Sequence, residues 1–451
     1  MDKLNICLIN DSFPPAIDGV ANAVVNYAEN ITRLHGQATV VTPFYPDADD
    51  SNFDFPVLRY PSVDMTKQVG YRAGIPFSPE TMRQLENREI DLIHSHCPIT
   101  STMFARALRD RIHKPLVFTY HTKFDIDIAN AIRSKLIQEE ATRLLVANIS
   151  SCDEVWTVSH GAGENLCKLG YEGDYIVMPN GVDFPRGRAD ETLVRQVCEG
   201  YDLPDGVPVF LFVGRMMWYK GIRITLDALK LLRERGVEFR MVFVGAGGDK
   251  DEIMTYTASL GLTDRVFFVP PIRDREQIRA WYCRADLFLF PSTFDTNGLV
   301  VREAASCALA SVLVEGSCAA EDVTDGVSGF LIEENADSMA AMLQTLCSSR
   351  ETMHNVGEIA QREIYISWEE AVTLAWERYH IVVDRFKRGG YPARERFSDD
   401  LFHAMAVAMN GYNRSRRKQP GLAAELRDGR QYMKEHIDNL ELRMEELYVL
   451  K

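Results

Sequence analysis

Two carboxylates, Asp295 and Glu303, stand eight residues apart within the stretch LFLFPSTFDTNGLVVREAA, residues 287–305. The apolar run Leu287 to Phe290 predicts a buried strand, and Pro291-Ser292 closes it. A loop with Asp295, Asn297 and Gly298 follows, and the sequence turns helix-like at Leu299. The first N–H groups of a helix lack intrahelical partners, so a glycine-led helix start can hold an anion on backbone donors. A carboxylate on either side can accept from sugar hydroxyls. Hydroxyls, anion, hydroxyls is the layout of a nucleoside diphosphate sugar.

Cations suited to the anion lie upstream. The apolar run Val209–Val213 enters Gly214-Arg215, and Lys220-Gly221 follows five residues past the arginine. A guanidinium grips phosphate bidentately and an ammonium acts as a point charge, which suggests a diphosphate clamp. Either cation alone reads as an ordinary surface residue; the pattern together with Glu303 favours the clamp. His121 sits in Thr119-Tyr120-His121-Thr122-Lys123, at the carboxyl end of a predicted strand. Ligands of open α/β sheets bind at such ends. Its imidazole can donate to a sugar hydroxyl or orient a second substrate. His94 and His96, two apart on another strand, read as metal ligands or as strand-end packing; with no third ligand nearby the second reading is simpler.

These residues need a scaffold of strand ends. Strand-like runs recur at 4–9, 38–42, 91–94, 116–119 and 154–158, and again at 209–213, 240–244, 265–272, 287–290 and 311–314. Helical patterns between them, such as 21–33, 101–114, 338–347 and 368–385, predict parallel sheets. The first strand leads into a turn-rich loop, Asn10 to Val20, that contains Gly19. No G-x-G-x-x-G follows it, which removes the main support for NAD-type oxidoreduction.

The acidic-x7-acidic spacing resembles the signature of the family 4 retaining glycosyltransferases, and the Thr296-Asn297-Gly298-Leu299-Val300 wording is similar to the bacterial glucosyl-diacylglycerol synthases within it. The Gly214-Arg215…Lys220-Gly221 pattern, the Thr119–Thr122 segment and the Phe13…Val20 loop also look like that family's and occur in its order over most of residues 4–385. Asp295 departs from the family, which has Glu there, one methylene longer. Prolines 270 and 271 stand where the family has a glycine that reads the base. The resemblance implies a GT-B fold, two Rossmann-like doubly wound lobes facing a cleft: 1–185 for the acceptor, completed by a returning helix at 368–387, and 186–367 for the nucleotide sugar. A helical extension, 388–451, follows. It implies retaining hexosyl transfer from a nucleoside diphosphate sugar, UDP-glucose favoured, with no metal and no cofactor. The acceptor would be a membrane lipid such as diacylglycerol, or else a polysaccharide or lipid-linked oligosaccharide. His121, Asp295, Arg215 and Lys220 would be catalytic. Gly19, Gly214, Arg215, Lys220, Asn297, Gly298, Leu299 and Glu303 would bind the donor, with Glu303 at the ribose and Asp295 with the 296–299 backbone at the sugar. A sugar-nucleotide epimerase shares the architecture but would carry extra acid/base carboxylates rather than the cationic clamp, and a non-catalytic sugar-nucleotide-binding module would bind donor without turnover.

Composition agrees with a soluble globular protein: of 451 residues, 46% are hydrophobic and 25% charged. The net charge of −15 argues against a nucleic-acid partner. Nine scattered cysteines without C-x-x-C pairs predict reduced thiols in a cytoplasmic protein. No run approaches the ~20 apolar residues of a membrane span, so any membrane contact is peripheral. Candidates for that contact are Arg106, Arg109, Arg111 and Lys114, with Lys123, Arg133 and Lys135, or equally a solvated helix face. Met178 to Asp183 reads as a turn leaving the first domain, similar to the family's interdomain hinge, and 184–206 as a linker. In the extension, Arg414–Lys418 is basic, and Met433, Ile437, Leu440, Met444 and Leu447 form an a/d seam, either a homo-oligomer contact or a helix packed on its own chain.

Overall fold

The structure is a computed structural model that describes residues 3–16, 18–64, 72–76, 78–124, 128 and 134–392. Lobe 1 contains β1 (Asn5–Ile9), α1 (Gly19–Asn30), β2 (Gln37–Pro43), β3 (Val57–Tyr60) and an antiparallel pair, β4 (Ser62–Asp64) with β5 (Arg72–Gly74). It continues with α2 (Pro79–Glu86), β6 (Leu92–Ser95), α3 (Thr100–Ile112), β7 (Leu116–Tyr120), α4 (Lys135–Ser150), β8 (Glu154–Thr157), α5 (His160–Lys168) and β9 (Ile176–Val177). Seven strands form one sheet in the order β3-β2-β1-β6-β7-β8-β9, with every pair parallel. Helices cover both faces, which is why β6 and β7 are buried along their whole length.

Lobe 2 repeats the plan: α6 (Glu191–Val197), β10 (Val209–Val213), α7 (Ile222–Glu234), β11 (Arg240–Val244), α8 (Lys250–Ser259), β12 (Val266–Val269), α9 (Arg275–Arg284), β13 (Leu287–Phe290), α10 (Leu299–Ser306), β14 (Ser311–Val314), β15 (Phe330–Ile332), α11 (Ala336–Cys347) and α12 (Arg350–Glu363). Its six strands run β12-β11-β10-β13-β14-β15, all parallel. The strand order reverses between β1 and β6 in the first sheet and between β10 and β13 in the second. These are the switch points outside which open sheets bind ligands. They put Asn10, His96, Gly214 and the 291–298 loop at the ends of the strands that matter.

The 184–206 segment, expected as a linker, instead contributes to lobe 2. Phe184, Ala189 and Val194 join its core, and Asp190 caps α6. The chain crosses between lobes at Val182, which bridges Ser367. There α13 (Trp368–Lys387) begins with a capping box of Ser367 and Glu370. It returns to lobe 1, where Trp368, Val372, Trp376 and Tyr379 enter the core with Ile6, Tyr27 and Trp156.

The basic helix α3 corrects an expectation. Arg106 is buried and donates to Asn148 Oδ1 at 2.7 Å, and Arg109 donates to the Ser151 carbonyl at 2.6 Å. Arg111 pairs with Glu86 at 2.6 Å and Lys114 lies 3.6 Å from Asp91. These four charges are satisfied within lobe 1 and do not form a lipid-facing stripe. Arg133, the basic cluster at 414–418 and the seam at 433–447 lie outside the described residues. No described helix is long and apolar enough to cross a membrane, and none of the nine cysteines is paired.

Candidate functional site

The switch point of lobe 2 is assembled by a tight turn. After β10 the chain passes Gly214 and the exposed Arg215, whose guanidinium lies 5.9 Å from the centre of the Tyr219 ring. A 3-10 turn, Trp218–Lys220, ends at Gly221 with φ 76°. A methyl there would also strike the Pro291 carbonyl oxygen, so both backbone geometry and space demand glycine. This close approach carries Lys220 to the β13 loop. Its Nζ donates to Asp295 Oδ1 at 2.6 Å, and Ser292 Oγ donates to Oδ2 at 2.6 Å. Lys220 is buried at 9% exposure. Both oxygens of Asp295 are thus engaged before any ligand arrives, leaving about two of the four lone-pair sites of a carboxylate. The shorter side chain reaches the lysine, and the partner expected to bind sugar is also the counter-ion of the clamp.

Gly298, at φ 56°, begins α10 without any side-chain cap, so the first-turn N–H groups from Leu299 onward are not covered by a side chain. Asn297, beside it, has both amide atoms buried without a hydrogen-bond partner. One turn along α10, Glu303 is held from α9: Arg275 Nη2 donates to Oε1 at 2.6 Å and the Tyr282 hydroxyl to Oε2 at 3.0 Å. Arg275 also lies 3.8 Å from Asp183 at the lobe crossing. Burial works against the Arg275 charge, but Glu303 and Asp183 outweigh it and raise its pKa. Burial, then Glu303, pushes the Tyr282 phenol far above its ordinary range, so it remains a donor.

On lobe 1, His121 follows β7 and its Nε2 lies 2.9 Å from His96 Nδ1. Burial holds His121 down to about 3, and burial, then His94 and His121, holds His96 well below the ordinary imidazole range. His94 is a structural residue: its Nδ1 bonds the Tyr379 hydroxyl at 2.6 Å and its Nε2 the Thr119 hydroxyl at 2.7 Å. With both nitrogens occupied it has none to offer a metal, which decides between the two readings of the histidine pair. Among the described residues no three His, Cys, Asp or Glu side chains gather as a metal site. Gly19 is the first residue of α1, and Asp18 accepts from the Val20 and Ala21 N–H groups at 2.9 and 2.7 Å. The start of α1 is therefore self-capped, unlike that of α10.

The 295–298 loop joins the lobes. Thr296 Oγ1 donates to the His121 carbonyl at 3.0 Å, and Ser159 Oγ donates to the Thr296 carbonyl at 2.5 Å. Behind it, Glu321 accepts from the His160 and Gly161 N–H groups at 2.7 and 2.5 Å, capping α5 from the other lobe. A cavity of about 640 Å³ lies here, lined by Asn297 and Gly298 together with Ser159, His160 and Glu321. The structure thus brings Lys220 to Asp295, and the 295–298 loop to His121. Pro270 and Pro271 are exposed just past β12. Sequence reasoning missed Arg275, Tyr282, Ser292 and Glu321, and the side-chain hydroxyl of Thr296. No spacing rule marks them, because each acts across distant segments or as an unremarkable polar side chain.

Two family descriptions match the chain: Glycosyltransferase Family 4 over residues 17–186 and Glycosyl transferases group 1 over residues 199–363. Both halves of the chain are thus glycosyltransferase in kind, and the chain is a glycosyltransferase of the GT-B type. The alpha-monoglucosyldiacylglycerol synthase of Acholeplasma laidlawii is 22% identical over 347 residues, 74% of this chain and 86% of that one. The D-inositol 3-phosphate glycosyltransferase of Nocardia farcinica is 29% identical over 307 residues, 62% and 65% of the two chains. Among solved structures, Anabaena HepE in complex with UDP superposes with a TM-score of 0.65 at 19% identity, covering 83% of this glycosyltransferase and 99% of HepE. At that identity the likeness establishes the GT-B fold.

Proposed function

We propose that this glycosyltransferase moves a hexosyl group, in the first instance glucose from UDP-glucose, to a membrane lipid such as diacylglycerol, with retention and without a metal ion. The observation that carries the donor side is the uncapped start of α10, with the Lys220–Asp295 pair on one side and Glu303 on the other. The diphosphate lies against the α10 N–H groups, Arg215 and Lys220. Glu303, oriented by Arg275 and Tyr282, accepts from the ribose hydroxyls with its remaining lone pairs. Asp295 holds Lys220 in place and offers its free lone pairs to the sugar. His121 donates to a sugar hydroxyl. As the anomeric carbon leaves the phosphate oxygen, the acceptor hydroxyl attacks from the same face and its proton passes to that oxygen. Interlobe contact through Thr296 keeps water from competing.

The lipid acceptor is supported by the synthases of Acholeplasma laidlawii and Streptococcus pneumoniae, at 22% and 23% identity. The inositol-phosphate relatives, at 27–29%, favour a second acceptor reading, a polyol phosphate. Peripheral placement at the inner membrane face belongs to the lipid reading. The test is transfer by purified protein in EDTA, with UDP-glucose and GDP-mannose offered separately. Diacylglycerol vesicles, an inositol phosphate or no acceptor would be added to each. Lipid product from one donor is the expected result. Product only with the polyol phosphate replaces the acceptor, and loss of activity in EDTA refutes metal independence. Tight UDP binding with no turnover of any donor would make the chain a binding module.

A further inference from the structure

Resting on the reading that His121 faces the transferred sugar, we infer that His96 is a positioning residue that fixes the tautomer of His121, so that His121 meets the sugar as an Nδ1–H donor and not as a base. Three buried imidazoles lie in a row, with ring centres 4.0 Å apart for His94 and His96 and 5.2 Å for His96 and His121. The 2.9 Å contact between His96 Nδ1 and His121 Nε2 joins two rings that burial keeps neutral. One of those two nitrogens carries a proton and the other is bare, so there are two arrangements.

If His121 Nε2–H is the donor, His96 must be protonated at its own Nε2. That atom is buried and has no hydrogen-bond partner. An N–H buried without an acceptor is a rare and costly arrangement, whereas an unmet lone pair is better tolerated. If His96 Nδ1–H is the donor, His96 Nε2 is the bare lone pair and the penalty is the smaller one. His121 then accepts at Nε2 and carries its proton on Nδ1. That nitrogen takes no protein hydrogen bond among the described residues, on a ring 7% exposed at the carboxyl end of β7. The backbone is held as well, since the His121 carbonyl accepts from Thr296 of the donor loop. The neutral side chain can therefore align a sugar hydroxyl but holds no basic nitrogen toward it.

The test reads the proton directly. Two-bond ¹H–¹⁵N spectra of the ligand-free full chain at pH 7, with His121 assigned by loss of its signals in His121→Asn, should show a protonated Nδ1 and a bare Nε2. His96→Leu should shift His121 toward the Nε2–H form that free imidazoles prefer. Turnover should fall by about 10- to 100-fold with donor affinity unchanged, as for the loss of one buried hydrogen-bond partner. His96→Asn, whose amide can donate from the place of Nδ1, should restore most of the turnover. A wild-type His121 protonated on Nε2 overturns the inference even if His96→Leu does not fold. So does an equal loss of turnover in the Leu and Asn variants. Normal turnover in His121→Asn, with the tautomer as stated, instead refutes the placing of His121 at the sugar and leaves the tautomer assignment standing.

Discussion

At the carboxyl ends of its strands lobe 1 carries imidazoles held neutral by burial, whereas lobe 2 carries ions held in pairs: Lys220 with Asp295 and Arg275 with Glu303. The difference follows the charge in the proposed reaction. There a departing diphosphate would gain negative charge, and the fixed cations and helix start that can meet it are on lobe 2. The lobe 1 side offers hydrogen bonds without a formal charge, which can orient hydroxyls without attracting a second anion. Pairing each ion in advance also reduces the rearrangement needed when substrate enters, at the cost of tying several side chains to one another.

The comparison can be broken first at Asp295. Asp295→Ala should lower turnover by about 10²–10³-fold and destabilise the fold by about 3 kcal/mol, because Lys220 loses its counter-ion in a largely buried place. Steady-state kinetics and urea unfolding read the two effects; near-normal turnover would remove Asp295 from the site. Next, Glu303→Ala should weaken UDP binding by roughly 10- to 100-fold in calorimetry with a smaller change in kcat, as for an interaction to a charged group. Unchanged binding would rule out the ribose role.

On the neutral side the measurement is stability against pH. An unfolded histidine takes up a proton below about 6.5, while burial holds the native pKa of His94 and His96 well below that and of His121 down to about 3. Below pH 6.5 the unfolded chain therefore binds more protons, and stability falls by about 1.4 kcal/mol per pH unit for each histidine, continuing toward pH 3. The stabilisation is fully present above pH 6.5. Urea midpoints between pH 8 and 5 should show this slope, reduced in His94→Gln; a flat profile would mean these rings are not held neutral. Smallest is Glu321→Ala, which removes the cap on α5 supplied from the other lobe. It should cost about 1 kcal/mol of stability and raise the donor KM only a few-fold.

Lobe 2 was the more legible half. β10, β11, β13 and β14 match their sequence expectations to the residue, because parallel strands covered on both faces read as unbroken apolar runs. The candidate loop and the two cations were legible through their order along the chain. The pairings among them were not. Lys220 and Asp295 are 75 residues apart, and Glu303 is clamped from an arginine 28 residues earlier, distances over which no periodicity operates. The membrane-facing reading of α3 failed for a related reason: Arg106 and Arg109 look like surface cations until Asn148 and Ser151, on and just past another helix, are seen to receive them. Helix α6 was hidden in 184–206 by polar residues and a short apolar face.

The return of α13 to lobe 1 has a consequence for biosynthesis. The chain emerges from its amino end, yet the core around Ile6, Tyr27 and Trp156 is closed by Trp368, Trp376 and Tyr379. Tyr379 also supplies the hydroxyl bonded to His94. Lobe 2 can be finished on the ribosome while lobe 1, made first, still lacks one wall. A nascent chain released before residue 387 would expose that apolar surface, so lobe 1, although made first, is the lobe that matures last.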